Sequence, residues 1–194
     1  MSTAGRAGML GAMTVQERRA GRVLAVHDGR VLLLRGSDPA RPADGDWWFT
    51  VGGGCEGDET TAEAARREAF EEAGLVLPAD LGPVVLHRVA EFSFEGRDHR
   101  QTEDFYLCRV DSDAVVTTGW TALERRSMSE HRWWGVDELE RTTEVVHPEQ
   151  LAALLTTLLR PGPAAEPLNP GAAAEPLNPG AAAEPLSPGS PGRP

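Results

Sequence analysis

Three glutamates at helical spacing are the residues of this chain best placed to do chemistry. Glu68, Glu71 and Glu72 stand at positions i, i+3 and i+4 of a stretch rich in alanine, glutamate and arginine. In a helix their carboxylates share one face, and such like charges destabilise an isolated helix by roughly 0.2–0.5 kcal/mol per pair. A divalent cation among them would offset this repulsion, because Mg²⁺ prefers carboxylate oxygens as ligands. The spacing therefore predicts a metal site on one helix face.

The helix that must hold these acids is marked at both of its ends. Thr60 and Glu63 have the spacing of a capping box, and good helix formers continue to Ala73. Gly74 then stands where a left-handed C-cap glycine belongs. A stripe of small residues would let the helix lie close on a sheet, with the acids on a different side: Ala62, Ala65, Ala69 and Ala73.

Strands are predicted on both sides of this helix. Val23–His27 and Val31–Arg35 flank Asp28-Gly29, a dipeptide that favours a hairpin turn. Further strands are predicted at Trp47–Val51, Val84–Phe94, Thr102–Val110 and His131–Val136, with the charged loop EGRDHRQ between the second and third of these. Helical segments are expected at VDELE and at Pro148–Arg160, the latter with proline at its start. This order predicts an α/β fold, an α/β/α sandwich around a mixed β-sheet.

The two ends of the chain differ in composition from its middle. Residues 1–13 are small and glycine-rich, and we expect a flexible N-terminus there. Residues 161–194 contain three nine-residue repeats of the type AAEPLNPGA, beginning at Ala164, at Ala173 and, in altered form, at Ala182. Proline in every repeat prevents a continuous helix, and one leucine per repeat buries little apolar surface, so this Pro/Ala-rich tail is predicted to be disordered. Residues 14–160 remain as one domain.

Charge and composition exclude several classes of function. The formal net charge of −11 disfavours a protein that binds nucleic acid through its phosphates. All 19 basic residues are arginines, which removes lysine-dependent Schiff-base and P-loop chemistry. No apolar run is long enough to span a membrane or to form a signal peptide, so a cytoplasmic protein without membrane contact is expected. Cys55 and Cys108 lack the spacing of a metal site or disulfide framework.

The segment from Gly53 to Leu75 resembles the Nudix box, G-x5-E-x7-R-E-U-x-E-E-x-G-U, at every fixed position. Ala69 and Leu75 fill its two apolar positions. The pattern covers this segment, and the strand order extends the resemblance over about residues 14–160. It implies a Nudix-type α/β/α sandwich and a metal-dependent pyrophosphohydrolase. Diphosphate hydrolysis requires Mg²⁺ or Mn²⁺ to neutralise phosphoryl oxygens and to position or activate a water.

The resemblance also implies roles for residues in the box. Glu68, Glu71, Glu72 and the carbonyl of Gly53 are expected to bind Mg²⁺, with Mn²⁺ as the alternative. The expected catalytic residues are Glu68, Glu71 and Arg67, and Glu68 is the first choice for general base, although some relatives use a glutamate from a later loop. Arg67 is spaced to bridge Glu63 and Glu71. Glu59 and Gly74 are expected to be structural.

Three residues outside the box are predicted to bind the substrate: Arg35, Trp48 and Glu130. Arg35 ends a hairpin strand and could reach a phosphate. One of the neighbours Trp47 and Trp48 could stack on a base while the other fills the core, and Trp48 is the choice. Glu130 stands where relatives often place a further acidic residue. Glu103 is a weaker candidate on a strand that faces the same region.

The substrate remains open at this point among small nucleotides: a nucleoside triphosphate, a nucleotide sugar or an ADP-ribose-like compound. A Nudix-fold ligand sensor without turnover is one alternative function. An enzyme like isopentenyl-diphosphate isomerase is another, which requires Cys55 or Cys108 to face the metal. Because many relatives dimerise, the resemblance also implies a homodimer.

Overall fold

A two-stranded hairpin near the amino end organises the sheet. In the computed structural model, which describes residues 15–160, strands β1 (Gln16–His27) and β2 (Arg30–Ser37) are joined through Asp28 and Gly29. Both turn residues have positive φ, 46° and 73°, as the predicted two-residue turn requires. The predicted flexible segment 1–13 and the repeat tail 161–194 lie outside the described residues.

Eight strands form one mixed sheet in this part of the chain. The other six are β3 (Asp46–Thr50), β4 (Gly52–Gly54), β5 (Val84–Phe94), β6 (Arg97–Arg109), β7 (Met128–Gly135) and β8 (Val146–His147). The order is β5-β6-β1-β2-β3-β8, with β4 also pairing with β1 and β7 with β2. The β1/β6 and β3/β8 pairs are parallel and the remaining pairs are antiparallel. The predicted mixed sheet is confirmed.

Helices cover the two faces of this sheet. They are α1 (Thr61–Ala73), α2 (Glu124–Ser127), α3 (Val136–Arg141) and α4 (Leu151–Leu158), and a 3-10 turn spans Pro42–Asp44. The alanine stripe of α1 packs into one core cluster with Val23 and Leu32. Leu151 and Leu155 of α4 pack on the other face, against Trp134. The α/β/α sandwich is therefore confirmed, and within residues 15–160 no helix has the length and apolar content to span a bilayer.

Helix α1 begins and ends as its sequence predicts. The Thr60 hydroxyl accepts a hydrogen bond from the Glu63 amide at 3.2 Å, and the Glu63 carboxylate accepts one from the Thr60 amide at 2.8 Å. Gly74 closes the helix in the left-handed region, with φ of 69°. The expected bridge from Arg67 to Glu63 is wrong, because Glu63 is occupied by this capping box.

The prediction that EGRDHRQ forms a loop is wrong. Only Glu95 and Gly96 form a turn, and β6 already starts at Arg97. Side chains from there on alternate between exposed and buried, with His99 and Gln101 buried. Because these inward-facing residues are polar, the sequence of this strand lacks the alternation of apolar and polar residues by which a strand is predicted. Strand β1 likewise starts at Gln16, because its polar first half pairs with β6. Helix α4 starts at Leu151, three residues after the proline expected at its start.

Candidate active site

Two glutamates of α1 converge on the glycines of β4. The Glu72 side chain is buried and accepts a hydrogen bond from the Gly52 amide at 2.8 Å. Glu68 lies so close to Gly53 that a Cβ there would stand 2.4 Å from its Oε1 atom. Glycine at position 53 is therefore required for the helix carboxylate to approach the strand backbone.

Burial disfavours the ionised form of both carboxyl groups. It raises the pKa of Glu72 to about 8, with the neighbouring charge of Glu68 acting in the same direction. Burial also raises the pKa of Glu68, although the Arg67 guanidinium opposes this shift. A bound cation would reverse the balance by stabilising both carboxylates.

A third glutamate completes an all-oxygen cluster. Glu68, Glu72 and Glu124 each offer a carboxylate oxygen, and the three oxygens lie within 4.8 Å of one another. Hard oxygen donors in this number suit Mg²⁺ or Mn²⁺, so the residues present fit the metal that the box implies. Glu71 is not a member of this group, and its Oε2 atom accepts a hydrogen bond from Arg67 at 3.1 Å instead.

Sequence reasoning missed Glu124, which belongs to the short helix α2. Its carboxylate accepts a hydrogen bond from the Thr121 amide, so locally it has the pattern of a helix cap. Its proximity to α1 comes from tertiary packing of the preceding segment, residues 110–123. The Trp120 indole donates to the Glu72 carbonyl at 2.8 Å, and the Val116 amide donates to the Ala73 carbonyl at 2.9 Å.

Arg67 links two glutamates of α1 to the loop that precedes this helix. Its guanidinium donates two hydrogen bonds to Glu59, at 2.9 and 3.0 Å, and one to the Gly54 carbonyl at 2.9 Å. One of its terminal nitrogens also donates to Glu68 at 2.9 Å and to Glu71 at 3.1 Å. Hydrogen bonds to Glu59 are the first cause of the raised pKa of Arg67. Glu59 thus lies in the hydrogen-bond network that holds Arg67.

Replacing Arg67 with lysine should destabilise the protein by about 1 kcal/mol and reduce hydrolysis as well. A lysine ammonium carries the charge but cannot form the paired hydrogen bonds to Glu59 or span three carboxylates. Urea unfolding of Arg67→Lys, Glu59→Gln and the double variant measures the free energy of unfolding of each. The three values, with that of the wild type, give the coupling energy between the two residues. Strict additivity in this cycle, or wild-type stability of Arg67→Lys, would show that the network has no such role.

A cavity of about 710 Å³ opens beside the carboxylate cluster. The acids Glu68, Glu72 and Glu124 line one part of it. Aromatic side chains line it from two strands, Trp47 and Phe49 from β3 and Phe92 and Phe94 from β5. The remaining charged lining includes Arg18, Arg22, Arg88, Glu103 and His147.

The three residues predicted to bind the substrate, Arg35, Trp48 and Glu130, do not line this cavity. Trp48 is buried in the core on the α4 side of the sheet, edge-on to Trp134 at 5.2 Å. Arg35 pairs across strands with Glu130 at 3.4 Å and lies over the Trp48 ring. Successive strand residues face opposite sides of a sheet, so Trp47 faces the cavity and Trp48 cannot.

Neither cysteine faces the carboxylate cluster. Cys108 is buried in the core beneath α1, and burial raises the pKa of its thiol to about 11. Cys55 follows β4 but does not line the cavity, and burial raises the pKa of its thiol as well. The isomerase alternative requires a cysteine at the metal, and the geometry offers none.

This chain is similar in sequence to known proteins of one family. The model of the NUDIX domain matches residues 16–155. The Nudix hydrolase YfcD of Escherichia coli K12 is 28% identical over 145 residues, which cover 74% of this chain and 73% of that protein. An oxidized purine nucleoside triphosphate hydrolase of Danio rerio is 33% identical over 93 residues, 46% of this chain and 52% of that protein.

The fold is shared with solved structures of the same kind. The crystal structure of a MutT protein from Methanosarcina mazei superposes with a TM-score of 0.52 at 18% identity, over 77% of this chain and 97% of that one. The matched domain, the complete box and the fold identify the family together. The chain belongs to the Nudix hydrolases and is a pyrophosphohydrolase of that family.

Proposed function

We propose that this protein hydrolyses the diphosphate of a nucleoside diphosphate linked to another group, in a reaction that depends on Mg²⁺ or Mn²⁺. The observation that carries the proposal is the cluster of Glu68, Glu72 and Glu124 at the edge of the cavity. The cavity volume is of the size that a small-molecule ligand needs. Its aromatic lining suits a nucleobase, and its arginines suit phosphate.

In this proposal Glu68, Glu72 and Glu124 hold the metal, with Glu71 and the Gly53 carbonyl as further ligands. The bound metal supplies charge neutralisation for the diphosphate and a water of lowered pKa. Glu68, which lines the cavity beside the cluster, accepts the proton of the attacking water. Arg67 is a positioning residue that holds Glu68 and Glu71 in place.

The substrate class comprises nucleoside triphosphates, nucleotide sugars and ADP-ribose-like compounds. Water attacks one phosphorus atom and the anhydride P–O bond breaks, so the products are two phosphorylated compounds or a nucleoside monophosphate and pyrophosphate. Trp47 and Phe49 on one wall and Phe92 and Phe94 on another are the residues proposed to contact the base. Trp47 takes the role that sequence reasoning gave to Trp48.

A panel of nucleotides tests this function directly. Purified wild-type protein is incubated with Mg²⁺, Mn²⁺ or EDTA and each substrate class, including oxidized purine nucleoside triphosphates. Release of phosphate, pyrophosphate and nucleoside monophosphate is then measured. We expect metal-dependent turnover of at least one class and none with EDTA. Tight binding of ADP-ribose or a nucleotide without any hydrolysis would instead support the ligand-sensor alternative.

A further inference from the structure

A buried carboxylate holds two arginines on the wall of the cavity. Glu103 is 1% exposed and forms an ion pair with Arg22 at 3.0 Å and a second one, through its other oxygen, with Arg88. The Gln101 amide donates a further hydrogen bond to Glu103 at 2.7 Å. Arg22 also donates to the carbonyls of Thr50 and Gly52 at 3.2 and 2.6 Å. Both guanidinium groups are thus committed to contacts within the protein.

Arg18 lines the same wall without such a partner. It lies in β1 opposite Gln101 of β6, and its guanidinium lies 5.6 Å from the centre of the Phe92 ring. The Phe92 ring is itself stacked on His99. Within residues 15–160 the Arg18 guanidinium has no ion pair. Burial and the neighbouring Arg22 lower the pKa of Arg18, and the carboxylates of Glu103 and Glu68 oppose this shift. An arginine that rests on an aromatic face keeps the N–H groups of its guanidinium available for hydrogen bonds to another partner.

The position of Arg18 relative to β4 connects it to the chemistry. The carboxylates Glu72 and Glu68 approach this strand at Gly52 and Gly53. Arg18 approaches it at the next residue, with its Nη1 atom 3.8 Å from the place a Gly54 Cβ would occupy. A diphosphate lying along β4 would therefore meet carboxylates at one residue and a free guanidinium at the next. Of the three arginines that line the cavity, Arg22 and Arg88 are paired with Glu103, so Arg18 is the one whose charge is available to an anion.

We propose that Arg18 binds phosphoryl oxygens of the substrate beside Gly54, and that it thereby selects substrates with phosphate charge at that point. This inference rests on the proposed function, because it requires a diphosphate substrate in the cavity. Arg22 and Arg88 act as positioning residues that keep Glu103 neutralised, so that Glu103 does not bind Arg18. A planar guanidinium binds a phosphate through two parallel hydrogen bonds, which an ammonium group cannot reproduce.

Three variants test the role of Arg18: Arg18→Gln, Arg18→Lys and the control Arg109→Gln. Arg109 is an exposed arginine at the other end of β6 and does not line the cavity. For each variant kcat/KM is measured on the best wild-type substrate. Calorimetry without metal then measures the affinity for each of the two products of that substrate. Thermal unfolding checks that the fold is retained.

We expect Arg18→Gln to reduce kcat/KM and affinity for at least one of the two products by roughly 10- to 100-fold, the usual effect of losing charge-assisted hydrogen bonds. Arg18→Lys should fall between this variant and the wild type, and Arg109→Gln should match the wild type. Folded Arg18 variants with wild-type kcat/KM and product affinities would overturn the inference. Failure of the proposed function is distinguishable, because the wild type itself would then hydrolyse no nucleotide.

Discussion

Glutamine in place of Glu72 will strongly reduce Mg²⁺-dependent turnover and, in the absence of metal, will make the folded protein more stable at pH 8. Loss of one buried carboxylate from the cluster should lower kcat by roughly 10³-fold, since metal-bound charge contributes several kcal/mol to such reactions. A glutamine oxygen can still accept the hydrogen bond from the Gly52 amide, so the fold is retained.

The stability effect follows from the pKa of Glu72. In the folded protein this carboxyl group stays protonated up to about pH 8, whereas in the unfolded chain it ionises near its ordinary value of 4.5. Between these values the folded state binds more protons, so the free energy of unfolding falls as pH rises. The loss is on the order of a few kcal/mol at pH 8 and is absent from the glutamine variant.

Urea unfolding at pH 5 and pH 8, with EDTA or with Mg²⁺, measures this linkage. The exposed Glu140 of α3 provides the control Glu140→Gln, which should behave as the wild type throughout. Mg²⁺ should stabilise the wild type more at pH 8 than at pH 5, since it binds ionised carboxylates, and should have little effect on Glu72→Gln. Wild-type turnover by Glu72→Gln would show that the cluster is not the hydrolytic centre.

Alanine in place of Gly21 will prevent folding or destabilise the protein by at least ~3 kcal/mol. Gly21 lies in β1 directly beneath the start of α1. A Cβ at this position would stand 1.7 Å from the Thr61 carbonyl oxygen and 2.8 Å from the Ala65 amide nitrogen. Both are backbone atoms, so the clash cannot be relieved by a side-chain rotation and α1 would have to move away from the sheet.

The matched control is Gly54→Ala, because a Cβ at Gly54 meets its nearest atoms only at 3.8 Å, an ordinary contact. Circular dichroism and urea unfolding of the two variants give the comparison. We expect Gly54→Ala to stay within about 1 kcal/mol of the wild type, in the range of unremarkable substitutions. Equal stability of the two variants would contradict the close approach of α1 to β1.

The parts of the fold and site that were predictable from sequence are those fixed by local spacing. The α1 helix has caps at both ends, and its acids occupy set positions relative to them, so Glu68 and Glu72 could be assigned to one face. The Asp28-Gly29 turn was equally local. In each case the residues that decide the structure are close neighbours in the chain.

Residues brought in by tertiary packing were not predictable in this way. Glu124 joins the cluster because Trp120 and its neighbours dock on the end of α1, and nothing near Glu124 in sequence reports that contact. Choosing Trp48 over Trp47 required knowing which side of β3 faces the cavity. Arg18 has the sequence context of an ordinary surface arginine, and only the adjacent strands show that it lines the cavity.

The carboxylate cluster and the aromatic lining of the cavity come from different elements of the fold. The three carboxylates of the cluster come from α1 and from α2, the helix that directly follows the docked residues 110–123. The aromatic walls come from β3 and β5, which contribute none of those acids. If the proposed roles hold, substitutions at Trp47 or Phe94 should change which base the cavity accepts while leaving the carboxylate cluster in place.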